Sequence, residues 1–423
     1  MKKIGASELE TNRVAALDGL RGCAIIAVMF YHFCHVPYVS NGTGDYIFYN
    51  VALAGWVGVD LFFVISGFLI TRILLNTRES QRYFRNFYAR RALRIFPLYY
   101  GYLIALALAF ALAARFAVAA RLPDTLTDKV AGGFEGQFWF WTYLSNFAFF
   151  ARGSAVSPAT GHLWSLAIEE QFYLVWPLIV YFVRRGPLMK LTVGLIVGAL
   201  AVRSALTLAG YDGTQVFVFT LSRIDALAWG SLVAMLVGVV PAWRLLKWAK
   251  LAFCIAAPVA VVTLAWFGPR ADANPWMFSG GLSIFPITFA AGLAITVLDG
   301  TSPISRSLDR PVLKFFGKYS YGLYVVHVII RGLVLAVFPA PILLWGSQIP
   351  WQFAFMAVAG GLSVAVALLS WHLYEQQFLK LKRYFPYSGV AGDKQTDLAA
   401  MALNTRSKLS IAEPPVPADS HRR

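Results

Sequence analysis

In the run LDGLRGCAIIAVMFYHF, Leu17 to Phe33, three ionisable residues interrupt an apolar stretch: Asp18, Arg21 and His32. On a helix turning ~100° per residue, Arg21 and His32 are ~20° apart in phase and share one face. A rise of ~1.5 Å per residue separates them by ~16 Å, about half a bilayer core. An imidazole with an unperturbed pKa of ~6.5 accepts a proton at neutral pH, so His32 suits a general base that activates a hydroxyl. It equally suits a hydrogen bond between membrane helices. Asp18 and Arg21, three residues apart, read as a helical ion pair or as a snorkelling anchor near one membrane edge.

Ionisable groups inside apolar spans cost roughly 2.5 kcal/mol or more at mid-helix, so each needs a partner or a role. In VGVDLFFVISGFLIT, Asp60 and Ser66 stand in a span, and Gly67 permits either an unwound turn with exposed amides or close helix packing. Arg90, Arg91 and Arg94 end a basic stretch just before an apolar run; guanidinium groups suit phosphate, and equally anionic lipid. In GHLWSLAIEEQFYLVWPL, helical phase gathers His162, Ser165, Glu169, Tyr173 and Trp176 on one face, with Glu170 pointing elsewhere. Two adjacent acids imply a hydrated cavity, which Glu169 is better placed to line. Arg223 and Asp225 read as an internal ion pair, and Ser320, Tyr324, His327 and Arg331 form another polar stripe.

The elements that must position these residues are membrane helices. Of 423 residues, 58% are hydrophobic and 14% charged, with a mean hydropathy of +0.61; a soluble chain carries roughly 25% charged residues. The formal charge of +16 lies between apolar runs, where it sets orientation rather than binding nucleic acid. Expected spans are Leu17–Val36, a second from Gly55, a third from Pro97, then His162–Val183, Leu191–Ala209, Val216–Val239, Leu251–Phe267, Phe278–Val297, Tyr321–Phe338 and Trp351–Tyr374. The fold class is therefore all-α: a polytopic membrane bundle of about ten helices. FWFWTYLSNFAFF, from Phe138 to Phe150, is too short to cross and reads as re-entrant or interfacial. The basic loops place both termini in the cytoplasm. Residues 1–16 form a cytoplasmic N-terminal segment without the early apolar core of a signal peptide, 17–385 the membrane domain, and 386–423 a disordered polar tail. Cys23, Cys34 and Cys254 form no CxxC and read as packing residues, and no metal-ligand cluster is expected.

In this order along the chain, LDGLRGCAIIAVMFYHF, GWVGVDLFFVISGFLIT, FYARRALRIFPLYY, HLWSLAIEEQFYLVWPL, RIDALAWG and YSYGLYVVH resemble the acyltransferase-3 family of integral-membrane O-acyltransferases, over residues 17 to about 330. The resemblance implies transfer of an acyl group, often acetyl, from a coenzyme A thioester to a hydroxyl, commonly on a glycan. The family's Arg, ten residues, His pattern falls on Arg21 and His32, its Arg-x-x-Arg element on Arg91 and Arg94, and its Ser-Gly-Phe-Leu element on Ser66 to Leu69. Its near-terminal Glu falls on Glu375, where YEQQF has Gln377 in place of the usual proline.

Combined with the helical geometry, the resemblance implies cytoplasmic acyl-CoA, a co-substrate rather than a resident cofactor, held by Arg91 and Arg94 with help from Arg21 and beside Ser66 and Gly67. His32 would take the acceptor's proton, and Glu169, Glu170, Tyr173, Arg223, Asp225 and His327 would line the cavity. The acceptor would be a glycan or lipid-linked glycan reached from the outer side of a bacterial inner membrane. Some family members carry a fused extracytoplasmic hydrolase-like domain, and none is expected here. The alternative from another class is a glycan or ion transporter using the same intramembrane charges.

Overall fold

The computed structural model describes residues 6–36, 38–40, 42–119, 136–154, 157, 159–267, 275–339 and 341–387. Among these there is no β-strand. The chain runs through α1 (Ala6–Cys34), α2 (Thr43–Leu53), α3 (Gly58–Thr77), α4 (Tyr83–Ala119), α5 (Gln137–Trp141), α6 (Ser145–Arg152), α7 (Trp164–Phe182), α8 (Arg185–Leu208) and α9 (Gly213–Val218). It continues with α10 (Thr220–Leu236), α11 (Ala242–Phe267), α12 (Pro275–Ser279), α13 (Ile284–Leu298), α14 (Pro303–Leu308), α15 (Pro311–Lys318), α16 (Ser320–Val337) and α17 (Ile349–Ser370). A π-helical turn, Trp371–Glu375, then leads into α18 (Gln376–Lys380).

Eight helical stretches among the described residues are long and apolar enough to cross a membrane: Ala16–Cys34, Thr43–Thr77, Tyr83–Arg115, Arg185–Leu208, Ala242–Phe267, Met277–Leu298, Ser320–Val337 and Ile349–Tyr384. The two other expected spans correspond to α7 and α10. Their departure has a physical reason: α7 carries Glu169 and Glu170, and α10 is 17 residues long with Arg223 and Asp225 inside it. α10 is largely buried, whereas α7 buries its polar first half and exposes Leu174, Leu178 and Phe182 in its second. The lipid-facing character of α8 and α11 is plain from exposed Val197, Leu200, Leu251, Ile255 and Val261.

Other expectations are revised. The segment between the first expected span and Gly55 contains a helix, α2, which continues through a 3-10 turn, Ala54–Val57, into α3. The third span does not begin at Pro97: α4 is one 37-residue helix that runs through Pro97, so the basic segment and the apolar span share an axis. The aromatic Phe138–Phe150 segment forms the two short helices α5 and α6, broken at Tyr143, whose φ is 55°. Of the polar tail expected at 386–423, all but Pro386 and Tyr387 lies outside the described residues.

Two helix contacts depend on missing side chains. Where α1 meets α15, a Cβ on Gly22 would stand 2.0 Å from the Leu313 carbonyl oxygen, and one on Gly317 would stand 1.8 Å from that of Asp18. Where α3 crosses α10, a Cβ on Gly67 would meet the Leu227 carbonyl oxygen at 1.9 Å, and one on Gly230 that of Val64 at 1.9 Å. Apolar burial drives little helix association in lipid, so such backbone approach is what makes van der Waals packing tight there. Gly67 is thus a packing residue, absent from the cavity wall described below, and its expected place beside a donor is corrected.

Candidate active site

The site is built in layers along α1, α7 and α16, because residues three or four apart on a helix stack on one face. The lowest layer walls a cavity of about 700 Å³, including its open mouth, with Arg21, Ser66, Arg91, Arg94, Glu169 and Tyr173 on its lining. Three guanidinium groups face one carboxylate there. Glu169 accepts hydrogen bonds from the hydroxyls of Ser66 and Tyr173, whose oxygens lie 3.1 Å apart. Arg91 stacks 5.4 Å from the centre of the Tyr173 ring, a contact that holds the guanidinium without consuming its donors. Arg21 pairs with Asp18 at 3.1 Å.

The next layer closes the cavity. Ser165 and Tyr324, both on its lining, have hydroxyl oxygens 2.5 Å apart, and Tyr324 donates to the carbonyl of His162 at 2.9 Å. The Phe62 ring meets Tyr324 edge-on.

One turn beyond Tyr324 on α16 stands His327, against His32, which is about three turns along α1 from Arg21. Nδ1 of His327 lies 3.0 Å from the Leu323 carbonyl and 2.8 Å from that of Tyr324. Carbonyls only accept, so the neutral ring carries its proton on Nδ1 and turns the Nε2 lone pair toward His32. His32 Nδ1 lies 3.1 Å from that nitrogen and 2.9 Å from the Val28 carbonyl. Both neighbours are acceptors, so His32 donates from Nδ1 and keeps the lone pair on Nε2. The contacts therefore select the tautomer a general base requires. His162 completes the cluster, its ring centre 6.3 Å from that of His32 and 5.2 Å from that of His327. Among the described residues no group of three or more His, Cys, Asp or Glu side chains is arranged to hold a metal ion.

Several expected cavity residues sit elsewhere. Arg223 and Asp225 are not paired with each other: two positions apart, they lie ~200° around α10 from one another and meet different partners, Arg223 meeting Asp60 at 2.6 Å and Asp225 meeting Arg203 at 2.8 Å, all four almost wholly buried. They tie α10 to α3 and α8 and line no part of the cavity. Glu170, ~100° around α7 from Glu169, is off the cavity wall. His327 is buried behind it, against His32. Glu375 borders a second, smaller cavity with Lys318, Tyr319, Tyr321 and Gly322, and Arg94 belongs to both cavities. The π-helical turn brings Glu375 inward, where it accepts a hydrogen bond from Ser370 at 3.1 Å; π-bulges are frequent at functional sites. Sequence reasoning missed Arg203 and the convergence of three histidines. An unexplained arginine in the Leu191–Ala209 run was the available signal for the first.

A membrane helix bundle with a cationic cavity leading to a histidine cluster defines the class. The family model for the acyltransferase domain of the acyltransferase-3 type matches residues 14–370, and the chain belongs to this family. The chain is 30% identical over 328 residues to the peptidoglycan O-acetyltransferase OatA of Listeria monocytogenes, covering 74% of this chain and 49% of the relative. It is 29% identical over 383 residues to the putative peptidoglycan O-acetyltransferase YrhL of Bacillus subtilis, covering 86% and 54%. The Staphylococcus aureus O-acetyltransferase OatA is 29% identical over 325 residues, covering 74% and 49%. The chain thus spans about half the length of the curated relatives it matches. No solved structure matches the chain.

Proposed function

We propose that this protein is a membrane O-acyltransferase that moves an acyl group, in the first instance acetyl, from cytoplasmic acyl-CoA to a hydroxyl of a glycan or glycan-containing lipid. The observation that carries this reading is a cavity lined by Arg21, Arg91 and Arg94 whose wall at Ser165 and Tyr324 is backed by His162, His327 and His32. Guanidinium groups with free donors are suited to the phosphates of coenzyme A, and the narrow upper end beside Ser165 and Tyr324 leads its thioester toward the histidines. His32 Nε2 then takes the proton from the acceptor hydroxyl as its oxygen attacks the thioester carbonyl. The relatives' names support a peptidoglycan-like acceptor and acetyl as the acyl group.

The basic segments at 78–94 and 306–318 support a cytoplasmic mouth, with both termini on that side and the protein in a bacterial inner membrane. The acceptor then approaches from the His32 side.

Purified protein in lipid nanodiscs, supplied with labelled acetyl coenzyme A and a muropeptide acceptor, is expected to transfer label, and His32→Ala to lose transfer by about 10²–10⁴-fold. Undiminished transfer in His32→Ala removes it from the mechanism. Movement of a glycan across a sealed bilayer without coenzyme would favour transport.

A further inference from the structure

His162 is the member of the cluster whose ring has no assigned work. Its side chain is 5% exposed, yet neither ring nitrogen has a hydrogen-bond partner; the backbone of Tyr324 and Val325 approaches without reaching hydrogen-bonding geometry. A buried donor left unpaired costs about 1–3 kcal/mol, and a catalytic role toward a group supplied from outside is one explanation such a side chain calls for. Its position is nevertheless tightly held. The residue lies in the 3-10 turn Gly161–Leu163 that starts α7, and its carbonyl accepts from Tyr324 and from Ser165 at the closed end of the cavity. The ring is thus fixed between the end of the cavity and His32, with His327 committed to the Nδ1 side of His32.

We propose that His162 is a second catalytic histidine, which donates a ring N–H to the acyl carbonyl oxygen of the donor thioester. The inference rests on the donor and base assignments above. The acceptor oxygen attacks the carbonyl carbon while its proton passes to His32 Nε2. The carbonyl π electrons move onto oxygen, and the His162 N–H stabilises that charge. The intermediate collapses with cleavage of the carbon–sulfur bond, and the departing thiolate takes the proton back from His32, leaving an ester and free coenzyme A thiol. A neutral imidazole is suited to this work because it donates without itself carrying charge into a buried site.

The test compares His162→Phe, which keeps a ring and removes the donor, with His162→Gln, which restores an N–H. Both are assayed with acetyl coenzyme A and a muropeptide acceptor in nanodiscs, with His162→Leu as the donorless variant should His162→Phe fail to fold. The donorless variant is expected to lose about 10²–10³ in kcat while KM for acetyl coenzyme A stays within about twofold, and His162→Gln to regain at least about tenfold in kcat. An unchanged kcat in the donorless variant overturns the proposal. So does an equal loss in both variants, or a loss expressed in KM alone. Wild-type protein that does not consume acetyl coenzyme A overturns the donor assignment itself, whereas active wild type with indifferent variants overturns only the role of His162.

Discussion

The division of labour between arginines and histidines is the residue-scale content of this site. Arg91 and Arg94 act, in the reading above, on the donor's phosphates and not on the reacting carbonyl, so their loss belongs in binding. Arg91→Ala or Arg94→Ala is expected to raise KM for acetyl coenzyme A by about 10–100-fold, equivalent to one charge-assisted hydrogen bond, with kcat little changed. Steady-state kinetics at saturating acceptor check this, and a fall in kcat at unchanged KM would place these residues at the chemistry instead. His327 works through His32, since its Nε2 receives the His32 Nδ1–H at 3.1 Å. In the proposed mechanism it is a positioning residue. His327→Leu removes one of the two acceptors at His32 Nδ1 and leaves the Val28 carbonyl at 2.9 Å, so the tautomer is held less firmly and kcat is expected to fall about threefold to tenfold at constant KM. His327→Gln, whose side-chain oxygen still accepts, should recover part of the loss.

Among the elements, α10 joins the bundle in two ways, through glycine contacts with α3 and through a buried pair on each of two sides. Breaking a buried pair by removing one partner leaves an uncompensated charge and costs roughly 3–5 kcal/mol. Arg223→Met alone is therefore expected to lower thermal stability in detergent sharply, and Asp60→Leu together with Arg223→Met to recover much of it. Losses that simply add would show that the two residues do not act as a pair. This is also where the sequence was hardest to read. Asp60, Arg223 and Asp225 stand out as charges in apolar runs, and Arg203 was passed over in one, but a one-dimensional pattern offers only near neighbours as partners. The true partners are 163 and 22 residues away: Asp60 for Arg223, and Arg203 for Asp225. By contrast the stripe of Ser165, Glu169 and Tyr173 was legible, because one helical period orders it without help from any other element. His32 was legible for its burial cost, while the tautomer that makes it useful depends on α16 and was not. Gly67 admitted two readings from sequence, and only the approach of Leu227 decides between them.

At the scale of the whole molecule, the site makes sense only if its two ends open to different compartments. The mouth bordered by Arg91 and Arg94 belongs to the same side as the basic segment at 78–94, and the histidines lie toward the side of α2 and the turn at Leu344–Ser347. That turn is fastened to α2: Asp45 accepts from the Ser347 hydroxyl at 2.9 Å and from the backbone N–H groups of Gln348 and Ile349, at the start of α17. Trp345 at its tip is 94% exposed. Cys23, Cys34 and Cys254 are all free thiols, so a cysteine-free background with all three replaced by alanine allows single reporters. Trp345→Cys is expected to react with a membrane-impermeant maleimide added outside intact cells, and Arg82→Cys only after the membrane is opened. The same sidedness predicts the kinetics in sealed proteoliposomes. Acetyl coenzyme A supplied on the Arg82 side should support transfer to an acceptor confined to the Trp345 side, and coenzyme supplied with the acceptor should not. Transfer from the Trp345 side alone would reverse the orientation and move the donor mouth away from Arg91 and Arg94. Equal transfer from both sides of a uniformly oriented preparation would mean that the layer of Ser165, Tyr324 and Phe62 does not separate two chambers.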